Sequence, residues 1–330
     1  MAGHILAGDV GGTKTHLGLF KHAAGQIEMI RDRRYATAQF PSLEAACAEF
    51  LALDKDAAID AACFGVRGPV IDGRARATNV PWEMSRVSLA RALNGVPVRL
   101  INDLGATAYG VIHLKPAEVA VLNRAENPPE HGNIAVIAAG TGLGESALVW
   151  DEANYHAVAS EGGHSDFAPQ GAEQIELLRF IEEKFGHASY ERVLSGPGLE
   201  NIYRFVRAHG AAPEPAWLTE QLATSDRAAA ISEAALSGRD SACVHALAIF
   251  CEIYGAEAAN LALKVLALGG VYLAGGIAPK ILPLLQRDAF MKGFLSKGRL
   301  NEILKQVEVR VALNPAAAML GAAHCAAAML

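Results

Sequence analysis

A chain of 330 residues with 52% hydrophobic and 19% charged side chains has apolar material for more than one core, which points to two domains of ordinary size. Its net charge of −6, without a long basic run, excludes the electrostatic footprint of a nucleic-acid binder. The five cysteines, Cys47, Cys63, Cys243, Cys251 and Cys325, are odd in number and make no CxxC pair, so neither a disulfide framework nor a zinc cluster is expected.

The opening Met1-Ala2-Gly3-His4 has no charged region ahead of an apolar core, and the expected location is the cytoplasm. Residues 5–9, 15–21 and 27–34 alternate as three strands joined by glycine-bearing turns at Gly11-Gly12 and Ala24-Gly25, an antiparallel meander. The first turn lies in Ala7-Gly8-Asp9-Val10-Gly11-Gly12-Thr13-Lys14-Thr15. Its glycines allow positive φ and a close approach of backbone N–H groups to an anion, and Asp9 at its mouth suits a metal ion. An ordinary hairpin turn fits the same residues and is the favoured reading on this stretch alone. The stretch nearly matches a Walker A loop. However, Thr13 stands where the last glycine belongs, and residues 16–20 alternate like a strand instead of opening a helix.

Residues 43–51 carry apolar side chains at helical spacing behind Ser42 as N-cap, and 57–65 read as a buried strand. A glycine-proline corner at 65–70 leads to a turn at Ile71-Asp72-Gly73, a short strand over 75–79 and a helix over 85–93 that Asn94-Gly95 closes. Residues 96–101 form an apolar strand ending in Asn102-Asp103, with a helix expected over 104–113. In an open α/β sheet ligands gather at the carboxyl ends of strands, which places Asp103 well for chemistry. An N-cap role for Asp103 is the plainer alternative.

After a polar, proline-bearing stretch over 123–132, a strand over 133–139 runs into Gly140-Thr141-Gly142-Leu143-Gly144 and a further strand over 145–150. Strand, glycine turn with threonine, and strand repeat the opening arrangement, a weak internal duplication. No helix follows the GxGxG string, as a dinucleotide fold would require. Glu161-Gly162-Gly163-His164-Ser165-Asp166 is the densest cluster of functional side chains. Its two glycines argue against a helix presenting metal ligands and favour a loop lining a polar pocket. The remainder is mostly helical, over 172–185, 198–208, 215–223, 227–236 and 241–267. A strand at 271–274 ends in Gly275-Gly276, and a strand at 307–311 precedes a closing helix over 315–330. The most apolar stretch, 258–277, is broken by Asn260, Lys264 and two glycine pairs. It reads as a buried helix running into a strand and not as a membrane span.

Taken in order, residues 8–13, Asn102-Asp103, residues 140–144, Glu161-Gly162-Gly163-His164, Glu191-Arg192-Val193-Leu194-Ser195-Gly196-Pro197-Gly198 and Ala274-Gly275-Gly276-Ile277 resemble the bacterial glucokinase family. That family belongs to the hexokinase/actin-like ATPase superfamily, and the resemblance spans residues 5–325. It implies an α/β fold of the two-domain actin-like ATPase type with ribonuclease-H-like cores and an interdomain cleft. The small domain would be 1–112 completed by 313–330, and the large one 113–312.

The resemblance also assigns residues. ATP would be held by Gly8, Asp9, Val10, Gly11, Gly12 and Thr13 on one side and by Gly140, Thr141 and Gly142 on the other, with Gly275 and Gly276 near the adenosine. Asp103 would be the general base, and Asn102, Asp103, Glu161, His164 and Glu191 would bind the sugar hydroxyls. Asp9 would hold Mg²⁺ through water, and a homodimer is implied. Three positions depart from the common pattern: Lys14 stands where asparagine is frequent, Ala138 where glycine is, and Arg67 where a small residue is more usual. The zinc-binding cysteine motif of the related ROK sugar kinases is missing.

Elementary chemistry supports the same assignments. A sugar primary hydroxyl is a poor nucleophile that needs a carboxylate within hydrogen-bond reach to accept its proton. A neutral hexose presents only hydroxyls, which Asn, Glu and His side chains can both donate to and accept from. Phosphoryl transfer then needs alignment and charge neutralisation. Taken singly, His164 is more often a packed or hydrogen-bonded histidine, Glu191 reads also as a first-turn helix carboxylate, and Gly275-Gly276 as a plain strand-to-helix turn. The expected activity is ATP-dependent phosphorylation of glucose at its 6-hydroxyl. The rivals are a kinase for fructose or mannose, a sugar sensor without catalysis, and an actin-like filament protein. An ADP-release assay over a panel of sugars separates the first two from the expected enzyme.

Overall fold

The structure, a computed structural model, describes residues 3–23, 25–52, 58–76, 81–210 and 212–330. Ala24 of the second expected turn, Ala57 at the start of the expected strand over 57–65, and residues 77–79 of the one over 75–79 lie outside these. The chain divides into two compact units, Met1–Pro116 with Tyr155–Ala159 and Asn314–Leu330, and Ala117–Asn154 with Ser160–Leu313.

In the first unit five strands lie in the order Gln26–Ala36, Lys14–Ala23, Gly3–Val10, Ala61–Val66, Val98–Asn102. The first three form the antiparallel meander, while Gly3–Val10, Ala61–Val66 and Val98–Asn102 run parallel. Ala61–Val66 is buried along its whole length, as befits a strand covered on both faces. Helix Leu43–Ala52 begins where the Ser42 Oγ accepts from Ala45 N at 3.2 Å. Helix Arg86–Ala92 is capped by Ser85 and closed by Asn94 and Gly95 at φ 61° and 84°, the left-handed stop expected there. Asp72 and Gly73, at φ 50° and 70°, make a two-residue turn whose flanking Ile71 and Arg74 exchange two bonds of 2.9 Å, the geometry that Asp-Gly favours.

Helices Asp103–Val111 and Ala317–Ala327 cross at glycines. A Cβ on Gly110 would stand 1.8 Å from the Ala317 carbonyl oxygen, and one on Gly321 would stand 1.9 Å from that of Ala106. The two backbones touch, and at the same junction the His113 and His324 rings stack at 3.3 Å.

In the second unit the strands lie in the order Leu143–Trp150, Ile134–Ala139, Gly270–Ala274, Val309–Ala312, Val119–Asn123. The first pair is an antiparallel hairpin, the middle pairings are parallel, and Val119–Asn123 closes the edge antiparallel. Helix Ser241–Val265 is long and apolar enough to cross a membrane by length and composition, yet it lies buried in the core of this unit. Val119–Asn123 and Tyr155–Ala159 are strands that local sequence pattern does not announce. All five cysteines are buried free thiols.

Candidate active site

Parallel pairing in the first unit aligns Asp9 with Gly65 and Gly65 with Ile101, so that Asp9 and Asn102 come to the same carboxyl edge on the two strands that flank Ala61–Val66. This edge is where an open α/β sheet binds ligands. Gly65 keeps the row compact. A Cβ there would meet the Ala106 Cβ at 2.8 Å, and it would lie 3.6 Å from the Asp103 Cα and 3.7 Å from the Gly8 carbonyl oxygen.

Asn102, not Asp103, caps the helix. Its Oδ1 accepts from Leu104 N at 2.9 Å and Gly105 N at 3.2 Å, while its Nδ2 donates to the Gly68 carbonyl at 3.2 Å. The N-cap alternative for Asp103 is thereby corrected: the strand ends one residue earlier than a cap at 103 requires. Asp103 is the first helical residue, half-buried, with Oδ1 accepting from Leu104 N at 2.9 Å. The positive end of the helix dipole favours a negative group at that position.

The first glycine turn is pinned from outside. Gly11 N donates to Lys14 O at 2.9 Å, Thr37 N to Thr13 O at 3.0 Å, and Thr37 Oγ1 to Gly11 O at 2.8 Å. Thr37 Oγ1 also lies 2.9 Å from Thr15 Oγ1. Neither Gly11 nor Gly12 has a positive φ, which corrects the expectation that the turn exploits left-handed glycines. Burial pushes the Asp9 carboxyl above its ordinary range, and the charges of His16 and Arg34 pull it back in part.

In the second unit the other glycine turn is as tight. Gly140 N donates to Gly142 O at 2.8 Å, and Gly196 N donates to Gly140 O at 2.8 Å. Gly196 opens helix Gly196–Ala208, whose cap Ser195 accepts from Gly198 N at 3.0 Å and donates to Glu191 O at 2.7 Å. Glu191 Oε2 accepts from Leu143 N at 3.0 Å. Glu191 does stand in the first turn of a short 3₁₀ helix, Tyr190–Arg192, and its carboxylate also reaches the strand that leaves the turn at 140–142.

Gly162–His164 is a single 3₁₀ turn. A Cβ on Gly163 would stand 2.1 Å from the Leu143 carbonyl oxygen, and one on Gly162 would stand 2.2 Å from Glu145 Oε2. The glycine pair exists because the turn lies directly against the outgoing strand. Glu161 and His164 are exposed, so the packed-histidine alternative does not hold. Tyr190 N donates to Ser165 O at 3.0 Å, and His187 Nε2 lies 2.8 Å from Asp166 Oδ1, which joins the segment of Glu161 and His164 to that of Glu191. Gly275, at φ 79°, ends strand Gly270–Ala274, and a Cβ there would lie 2.4 Å from the Ala139 carbonyl oxygen. Gly275 and Gly276 thus stand beside the start of the 140–142 turn.

Asp9, Asn102 and Asp103 are assembled within one unit, and Gly140, Thr141, Gly142, Glu161, His164, Glu191, Gly275 and Gly276 within the other. Two residues that matter here escaped sequence reasoning. Thr37, buried and pinning the first turn, carries no local signal. Glu145 does carry one, a carboxylate on an otherwise apolar strand just after a glycine turn.

Over residues 6–329 the chain matches the family model Glucokinase. It is 40% identical over 351 residues to a glucokinase from Synechocystis sp., covering 99% of each chain. A solved glucokinase from an Antarctic psychrotroph matches with a TM-score of 0.87 at 30% identity, covering 98% of this chain and 99% of its own. A ROK family glucokinase from Streptomyces griseus, solved in complex with glucose and AMPPNP, shares the fold at a TM-score of 0.66 and 23% identity, covering 99% of this chain and all of its own.

Proposed function

The chain belongs to the glucokinase family, and from that premise we propose how its residues divide the work of moving the γ-phosphate of ATP onto glucose. The enzyme is an ATP-dependent hexose kinase acting on glucose. Asp103 is the general base. It accepts the proton of the 6-hydroxyl as that oxygen attacks the γ-phosphorus, the bond from the γ-phosphorus to the bridging oxygen breaks, and ADP and glucose 6-phosphate result. What supports this is the position of Asp103 at the carboxyl edge of three parallel strands, oriented by the capped start of its helix.

Asn102, Glu161, His164 and Glu191 hold the sugar hydroxyls, so that an analogue lacking one of them leaves a polar group unpaired. Backbone N–H groups of residues 8–13 and 140–142, with the Thr13 and Thr141 hydroxyls, hold the phosphates, and Gly275 and Gly276 border the adenosine. The donor chemistry fits Mg²⁺. Asp9 offers a hard, half-buried carboxylate, and among the described residues no three His, Cys, Asp or Glu side chains gather into a cage. This suits an ion carried mainly on substrate phosphates and held by one carboxylate. When bound, the ion neutralises phosphate charge. The reading includes a cytoplasmic homodimer, supported by family resemblance; sedimentation velocity that returns a monomer at working concentration overturns the dimer.

Asp103→Asn tests the assignment. Glucose affinity is expected to be retained while turnover falls by at least ~10²-fold. Near-normal turnover in a coupled ADP-release assay removes Asp103 from the role of base.

A further inference from the structure

Beneath the turn at Gly162–His164 two carboxylic acids lie side by side in the core of the second unit. Glu145 is 1% exposed and Glu257 is 0% exposed. Glu257 Oε2 accepts from Asn260 Nδ2 at 2.7 Å, which leaves Glu257 Oε1 with no hydrogen-bond partner and the Lys264 Nζ 3.6 Å away. Glu145 Oε2 is pressed against Gly162, and Glu145 Oε1 also has no hydrogen-bond partner. Two orphaned carboxyl oxygens in one buried site call for one donor between them, because an unpaired buried acceptor is costly and two adjacent buried carboxylates more so.

We propose that Glu145 and Glu257 share a single proton and act as a positioning pair for glucose, holding the segments that carry Glu161, His164 and Glu191 in their binding arrangement. The inference rests on the sugar-binding reading of those three residues. The path to them is short. Glu145 sits two residues after Leu143, whose N–H holds Glu191 and whose carbonyl packs on Gly163. Glu257 meets Tyr190 both directly, by a side-chain hydrogen bond, and through Asn260, whose Nδ2 donates to the Tyr190 hydroxyl at 2.9 Å; Tyr190 precedes Glu191 and pairs with Ser165.

Burial, then the charge of Glu257, pushes the Glu145 carboxyl up to about 8, and Lys264 pulls against them. The titratable groups facing the pair are Lys264, Lys297, Tyr190 and Tyr254. Lys297 donates to Asn260 Oδ1 at 2.6 Å, and burial pushes its ammonium down. Both tyrosines are pushed up by burial and stay neutral in the range of interest. With its folded value above the ordinary one, the shared proton stabilises the arrangement at low pH, and that contribution is lost as pH rises through about 8.

Glucose binding measured by titration calorimetry without nucleotide, at pH 7 and pH 9, tests the pair. For the native chain the dissociation constant is expected to rise about fivefold or more between the two pH values. Glu145→Gln supplies a permanent N–H donor to Glu257 and is expected to bind glucose within about twofold of the native chain at pH 7, and equally at pH 9. Glu145→Leu is expected to bind weakly at both. Unchanged native affinity between pH 7 and 9, or Glu145→Gln as weak as Glu145→Leu at pH 7, overturns the proposal. If Glu145→Leu does not fold, the native chain and Glu145→Gln decide alone. Failure of the underlying sugar reading shows separately, as glucose affinity unchanged in Glu191→Ala.

Discussion

Gly163 has no room for a methyl group, since its Cβ would stand 2.1 Å from a main-chain oxygen that cannot swing away. Gly163→Ala must push the turn off the strand at Leu143 and carry Glu161 and His164 with it. The expected loss is roughly 1–3 kcal/mol of stability, as for other overpacked sites. The expected kinetic result is a KM for glucose raised by about tenfold or more, the scale of a small displacement of a positioned group. Thermal melting and a glucose series in the coupled assay check both, and an unchanged KM means that the turn does not bind sugar. At this scale the sequence offered Asp103, Glu161 and His164 as candidates but not their mechanics. Nothing local distinguishes Asn102 from Asp103 as the cap, because both types cap helices and only the last strand pairing, Val66 with Asn102, decides. Nor does a Gly-Gly pair reveal whether it serves conformation, as expected at 11–12, or close contact, as at 162–163.

Helix Ser241–Val265 starts at Asp240, whose Oδ1 accepts from Cys243 N at 2.9 Å and whose Oδ2 accepts from Arg207 Nη2 at 2.6 Å. The ion pair is buried, with side-chain exposures of 7% for Asp240 and 13% for Arg207. Breaking such a pair leaves an uncompensated charge, and Asp240→Ala is expected to cost roughly 3–5 kcal/mol, read as a lowered denaturation midpoint. Burial pushes the Asp240 carboxyl up, but the Cys243 N–H and Arg207 more than offset it and hold the carboxyl below its usual range. Its contribution is therefore present above the ordinary value of 3.8 and lost as pH falls through the lower folded one. Elements with strong internal periodicity were legible: Arg227–Leu236 has the bounds its sequence predicts. Val119–Asn123 was not, since its partner Val309–Ala312 lies far along the chain and its half-buried residues show no alternation.

The first unit is expected to lose stability in mild acid. Burial and the neighbouring His113 push the His324 ring down to about 4, and burial lowers His113 as well. Burial disfavours charge on either ring, so the stability that the neutral pair lends is present above the ordinary value of 6.5 and lost as pH falls from there toward about 4. Calorimetry between pH 7 and 5 is expected to show this unit melting at progressively lower temperature, with His324→Phe flattening the trend. A pH-independent transition in the native chain contradicts the account. The crossing of helices Asp103–Val111 and Ala317–Ala327 at Gly110 and Gly321 has a consequence in time as well as in space. During synthesis the segment that begins with Asp103 is made well before its packing partner. A chain cut short before residue 317 has both glycine turns in its sequence without the helix against which Asp103–Val111 packs. The seat of helix Asp103–Val111 is thus complete only once residues 317–327 have been made.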